Sequence, residues 1–280
     1  MSPQNKARLA FLIIDPQNSF CHPSEGELFV PGADKDAERL SKLLERMSPA
    51  IDRIHVTLDT HHELDVAHPI FWVNNRGEHP APFTTIGKKD VVNGEWKPYH
   101  PDLSSPPYGT LLDRMIEYVD RLEENGRYQL TVWPPHCRIG TPGHNVVKPV
   151  REALRAWELS HYAMVDYVIK GSNMFTEHYS GVLADVPDPA DPDTHLNTAL
   201  IQSLEQADRV VFCGEASSHC VANTVRDILR NFDAGSAHKC VLLEDAISPV
   251  PGFERFADEF FQEMGDKGVQ IATTASFSDV

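Results

Sequence analysis

Val210-Val211-Phe212-Cys213-Gly214-Glu215-Ala216-Ser217-Ser218-His219-Cys220-Val221 runs from an apolar strand through a turn of small residues into a helical pattern opened by a thiol. Strand, tight turn and helix in that order form the repeating half of a parallel α/β unit. A cysteine in the first turn of a helix meets the positive end of the helix dipole and unpaired backbone N–H groups. Both favour the thiolate, and the same N–H groups can hold an oxyanion. A helix-start cysteine taken alone is more often an inert small hydrophobe, so the rest of the chain has to decide.

The same alternation extends in both directions from this unit. Leu9-Ala10-Phe11-Leu12-Ile13-Ile14 reads as a buried first strand ending at Asp15, and Arg53 to Leu58 as a second ending at Asp59. Met164 to Ile169 reads as a strand ending at Lys170, with later strands at Lys239–Leu243 and Val269–Ala272. Helical patterns lie between them at Asp34–Met47, His144–Leu159, Leu196–Gln206, His219–Asn231 and Phe253–Met264. The expected fold is α/β, a Rossmann-like, mostly parallel sheet with helices on both faces. Asp15, Asp59, Lys170 and Cys220 then fall at the carboxyl ends of four strands, where open α/β sheets place their sites.

Two stretches break the alternation, about 73–131 and 179–194, and both are expected as insertions into a single domain spanning 1–280. The first holds Thr110 to Leu122, apolar at helical spacing and therefore expected as a packed helix. In the second, Ala184 to Asp193 carries repeated prolines and acids, which predicts a surface loop.

Composition excludes several classes of function. A net charge of -16 over 280 residues repels nucleic-acid phosphates and anionic membrane surfaces, so small molecules and other protein chains are the expected partners. The segment Met1 to Arg8 has no apolar leader and no later stretch suits a bilayer span, which predicts a cytoplasmic protein. Five scattered cysteines without CxxC spacing fit neither a disulfide framework nor a thiolate zinc site.

Asp59-Thr60-His61 and, much later, Trp133-Pro134-Pro135-His136-Cys137 supply one carboxylate and two imidazoles. That donor set suits zinc, iron or manganese and leaves positions open for water or substrate. Asp59 and His61 face the same way in an extended segment, and His68 adds a fourth ligand or none. Fourteen histidines make chance pairs common, so spacing alone does not establish the site.

Taken together these residues resemble the nicotinamidase branch of the isochorismatase-like cysteine hydrolases over most of the chain outside the two insertions. Asp15-Pro16-Gln17-Asn18-Ser19-Phe20-Cys21, with Leu28-Phe29-Val30-Pro31-Gly32-Ala33, is similar to the family's opening signature. Trp133 to Cys137 is similar to its Trp-Pro-x-His-Cys motif, Lys170-Gly171 to its lysine motif, and Ala216 to Val221 to its nucleophile turn. Thr60, His62 and Ser218 depart from residues usual in the family, and the insertion between Trp72 and Trp133 is longer than in compact members.

The resemblance implies an isochorismatase-like hydrolase fold and a metal-dependent amidohydrolase that converts nicotinamide to nicotinate and ammonia. Asp15, Lys170 and Cys220 would be catalytic. Ala216 and Cys220 would form the oxyanion hole, with a cis peptide before Ala216. Asp59, His61 and His136 would hold one divalent ion, zinc first and iron or manganese otherwise, and Phe20, Trp133 and His219 would bind substrate. In that mechanism Asp15 takes the Cys220 proton, Lys170 steadies the charges, and a thioester forms and is hydrolysed. A homo-oligomer is expected. Three rivals stand beside this reading: a hydrolase of the same superfamily acting on a carbamoyl or ureido compound, a non-haem iron oxygenase, and a non-enzymatic metal-binding scaffold.

Overall fold

A computed structural model describes residues 7–233 and 235–278. The segment Met1 to Lys6, read above as lacking an apolar leader, lies outside the described residues. Six strands form one parallel sheet: β1 (Leu9–Ile14), β2 (Ile51–Asp59), β3 (Asp166–Lys170), β4 (Arg209–Gly214), β5 (Cys240–Leu243) and β6 (Gln270–Ala272). Their spatial order is β6-β5-β4-β1-β2-β3. This is the doubly wound arrangement, with the direction of winding reversing between β1 and β4.

All six residues of β1 are buried, which is why it reads as an unbroken apolar run and not as an alternating one. Helices α1 (Ala33–Met47) and α3 (Lys148–His161) follow β1 and near-precede β3 in the chain and pack against each other. Right-handed crossovers put them on one face. Helices α4 (Thr198–Glu205), α5 (Cys220–Asn231) and α6 (Glu254–Asp266) follow the reversal and cover the other face, where Arg226 of α5 donates to Glu263 of α6 at 2.7 Å.

The predicted strands and long helices all appear. Their ends differ by a few residues, most at α3, which starts at Lys148 because Pro142–His144 forms a separate 3₁₀ turn. Between β2 and β3 lies α2 (Leu111–Asn125), starting one residue after the expected Thr110. Thr110 caps it and accepts from the Asp113 N–H, while the Asp113 carboxylate accepts from the Thr110 N–H at 3.0 Å. The apolar face of α2 enters a second cluster with Val66, Phe71, Trp72, Ile86 and Leu130, separate from the main core. Three two-residue antiparallel ladders and the short helix Lys88–Val92 in this stretch were not anticipated from the sequence.

One expectation needs correction. The stretch Ala184 to Asp193 is not simply a surface loop, since Ala184 and Asp188 are buried and Thr194 just beyond it is too. Asp188 is held there: it accepts from the Ala190 N–H at 3.0 Å and pairs with Arg114 of the distant helix α2, whose guanidinium lies 3.7 Å from the Phe175 ring centroid. No helix among the described residues is long and apolar enough to cross a membrane.

Candidate active site

The reversal of winding opens a crevice beyond the ends of β1 and β4. Asp15 follows β1 with φ 45°, a left-handed conformation that aspartate tolerates better than most residues. Its N–H donates to Thr57 O at 3.2 Å, and its Oδ1 accepts from the Thr57 hydroxyl at 2.5 Å, so β2 fixes the carboxyl. Cys220 is the first residue of α5, as the sequence predicts, and its N–H therefore has no intrahelical acceptor. The peptide between Glu215 and Ala216 is cis.

Lys170 ends β3 in register with Asp59 at the end of β2. Its ammonium, 1 % exposed, lies 2.7 Å from Asp59 Oδ1, 2.9 Å from Asp15 Oδ2 and 3.6 Å from Cys220 Sγ. Burial pushes the Cys220 thiol well above its ordinary range, and Asp15 and Asp59 add to this while Lys170 opposes it. Burial of the sulfur thus works against the pull of the helix dipole, which fits the expectation that a neighbouring base takes its proton. Burial also raises the Asp15 carboxyl, with Lys170 opposing, and that suits a base which must later return its proton.

The second set of residues meets on the other side of Asp59. Asp59 Oδ2 lies 3.0 Å from His61 Nε2 and 3.2 Å from His136 Nε2. Donor atoms of His61, His68 and His136 all lie within 4.8 Å of one another, so the structure brings His68 into the cluster. The remaining ring nitrogens are held from behind: His61 Nδ1 by Asp65 Oδ2 at 2.7 Å and His136 Nδ1 by Pro134 O at 2.8 Å. Gln17 clamps the backbone of Asp59, donating to its carbonyl at 2.7 Å and accepting from its N–H at 2.8 Å. Among the described residues, both ring nitrogens of buried His68 lack a hydrogen-bond partner. Imidazoles aimed at one point and oriented by outer acceptors are what a divalent ion requires, and an orphaned buried imidazole fits one. The residues present fit a metal.

A narrow pocket joins the two sets and is lined by Phe20, Leu28, Asp59, Trp133, His136, Glu177, Tyr179, Ala216, His219, Cys220 and Val250. The Trp133 indole donates to Tyr179 Oη at 3.0 Å, and the His219 ring packs among Tyr128, Trp133, Tyr179 and Phe253. Burial holds His219 near 3, so its ring is neutral at neutral pH. All the residues singled out in the sequence thus converge on this crevice. Sequence reading missed Asp65, Glu177 and His178. Asp65, four residues after His61, carried a faint signal; Glu177 and His178 sit in an irregular segment that carries none.

A larger cavity, about 630 Å³, lies elsewhere, at the open edge of β3. There His55 bridges Asp166 Oδ2 at 2.7 Å and Ser203 Oγ at 3.1 Å, and Arg53 also donates to Ser203 Oγ at 2.8 Å. This chain of bonds ties α4 to the sheet edge. We favour the smaller pocket as the site because a buried ammonium, two carboxyls and a thiol converge there.

No protein-family model matches the chain, and no curated protein matches it in sequence. Solved structures do resemble it. The yeast nicotinamidase bound to the inhibitor nicotinaldehyde superposes with TM-score 0.62 at 19% identity, covering 95% of this chain and 99% of that one. The pyrazinamidase of Pyrococcus horikoshii in complex with zinc gives 0.55 at 20% identity, covering 95% and 99%. The N-carbamoylsarcosine amidase of Thermoplasma acidophilum gives 0.52 at 16% identity, covering 97% and 99%. The chain has the fold of isochorismatase-like hydrolases.

Proposed function

We propose that the protein is a metal-dependent amidohydrolase that converts nicotinamide to nicotinate and ammonia through a thioester on Cys220. The observation that carries this reading is the position of the Lys170 ammonium, within 3.6 Å or less of Asp15, Asp59 and Cys220 at once. A thiol nucleophile, a carboxyl with a raised pKa and a fixed cation together suit acyl transfer by a buried cysteine.

Asp15 takes the proton from Cys220 Sγ as the sulfur attacks the amide carbon. The ammonium of Lys170 offsets the negative charge during transfer. The developing oxyanion is held by the N–H groups of Ala216 and Cys220, each donor contributing on the order of 3 kcal/mol in comparable sites. Asp15 then gives the proton to the leaving nitrogen, ammonia departs, and the carbon–sulfur bond of the thioester remains. Asp15 next accepts a proton from water, which adds to the acyl carbon and expels the thiolate, and Asp15 then returns that proton to the sulfur, restoring the enzyme. A divalent ion held by Asp59, His61 and His136, with His68 beside it, would supply a Lewis-acid anchor for the ring nitrogen. Phe20 and Trp133 would flank the ring and keep the amide against the sulfur.

The likeness to N-carbamoylsarcosine amidase and the departures at Thr60 and His62 support a second reading, hydrolysis of a carbamoyl or ureido compound. Ammonia release from nicotinamide by metal-loaded protein tests the first reading, with Cys220→Ala and His136→Ala alongside. Loss in both variants is expected. A metal-loaded wild type that leaves nicotinamide intact and releases ammonia from a carbamoyl compound would establish the second.

A further inference from the structure

Ser203, His55 and Asp166 meet in a line at the larger cavity, and all three belong to its wall. In the parallel pairing of β2 with β3, His55 stands opposite Asp166. Side chains two residues apart on a strand share a face, so Arg53 emerges beside His55. Helix α4 packs over that face and brings Ser203 to both: its Oγ lies 3.1 Å from His55 Nε2 and accepts from Arg53 at 2.8 Å. His55 Nδ1 lies 2.7 Å from Asp166 Oδ2.

These bonds run in one direction. A guanidinium only donates, so Arg53 occupies a lone pair of Ser203 Oγ and the hydroxyl hydrogen is left for His55 Nε2. A carboxylate only accepts, so Asp166 keeps the ring hydrogen of His55 on Nδ1. That selects the neutral tautomer whose bare Nε2 can take a proton from the hydroxyl. Burial lowers the His55 ring below the ordinary histidine value, with Asp166 opposing and Arg53 adding to the fall, and this keeps the base uncharged. A bond chain that only holds a helix needs no open space beside the hydroxyl. Here the space is about 630 Å³, within the range of roughly 300–1,000 Å³ usual for small-molecule sites.

We propose that this cavity is a second hydrolytic site, with Ser203 as nucleophile and His55 as base, and that it takes small carboxylic esters whose apolar part lies against Trp157, Tyr167 and Leu200. It does not involve Cys220 and goes beyond the amidohydrolase reading. Ser203 Oγ adds to the ester carbon as His55 Nε2 takes its proton. A guanidinium has several N–H donors, so Arg53 holds the developing oxyanion from beside the serine. Collapse breaks the bond to the alcohol, which leaves with the proton from His55. Water then gives a proton to His55 and adds to the acyl carbon; the Ser203 oxygen departs, takes that proton back and frees the acid. Asp166 is a positioning residue that acts through the His55 ring.

The test uses Cys220→Ala protein throughout, so that the thiol of the other site contributes nothing, with p-nitrophenyl acetate as the ester and diisopropyl fluorophosphate as the label. Release of p-nitrophenol is expected to be at least about tenfold faster than in the same protein carrying Ser203→Ala. His55→Gln should match Ser203→Ala. Asp166→Asn should lower kcat with KM unmoved, which loss of a purely structural tie would not produce. Mass spectrometry should find one phosphoryl adduct, on Ser203, and none in His55→Gln. Ester turnover unaffected by Ser203→Ala or by Asp166→Asn overturns the proposal, and so does the absence of an adduct on Ser203. Ser203 is only half-buried, so Ser203→Ala decides the matter even where His55→Gln does not fold.

Discussion

Lys170 donates to Asp59 Oδ1 at 2.7 Å, and the other oxygen of the same carboxylate faces His61 and His136. The cation beside Cys220 and the histidine cluster therefore share one carboxylate.

Removing the cation should disturb both sets of residues. Lys170→Met leaves two buried carboxyls, Asp15 and Asp59, without the cation they share, and loss of one partner of a buried pair costs about 3–5 kcal/mol. A loss of at least about a hundredfold in kcat is expected together with that destabilisation, measured by ammonia release and urea unfolding. A variant of wild-type stability and activity would show that the ammonium is dispensable.

Metal removal should lower stability as well as activity. An ion bound only by the folded state adds about 2.7 kcal/mol when present at a hundred times its dissociation constant. Chelation is expected to lower Tm in wild type and to leave Tm unmoved in His136→Ala. Elemental analysis of the purified protein should find close to one divalent ion per chain.

Acid should destabilise the fold through histidines that are buried neutral. Burial lowers His219 and His178 to about 3, whereas an unfolded histidine titrates near about 6.5. The unfolded chain takes up these protons first. Stability from this source is complete above pH of about 6.5 and is lost as pH falls toward 3. His219→Phe removes one such group. Its urea-unfolding free energy should fall less steeply between pH of about 6 and 4, by up to about 1.4 kcal/mol per pH unit. Parallel slopes in the two proteins would contradict the assignment.

Gly214 ends β4 with φ 108°, and a Cβ built there would stand 2.0 Å from Ile14 O and 2.6 Å from Ile14 N. Gly214→Ala must push apart the two strands that carry Asp15 and the turn to Cys220. A loss above about 4 kcal/mol, or failure to recover folded protein, is expected. Circular dichroism and a urea curve check it.

The sheet and the candidate site residues were legible because several strand ends coincide with a chemical residue. The apolar run Leu9 to Ile14 stops at Asp15, the run at Tyr167 to Ile169 stops at Lys170, and Cys220 opens α5. The stretch between Trp72 and Trp133 was less legible. Its ladders are only two residues long, and two of the three pair positions far apart, as in Thr85 with Thr131, so no local periodicity marks them. Glu177 escaped notice for a related reason: it lies in an irregular segment whose burial depends on Tyr118 of a distant helix.

Lys170 stands on β3, an edge strand, which among the described residues pairs only with β2 and leaves Tyr167 and Ile169 half exposed. Edge segments open at lower free energy than the centre of a sheet, independently of global unfolding. The central strands that carry Asp15 and the nucleophile turn would outlast it. Warming should therefore peel the ammonium away from an otherwise intact molecule, and catalysis would fade at temperatures where circular dichroism still reports a folded protein.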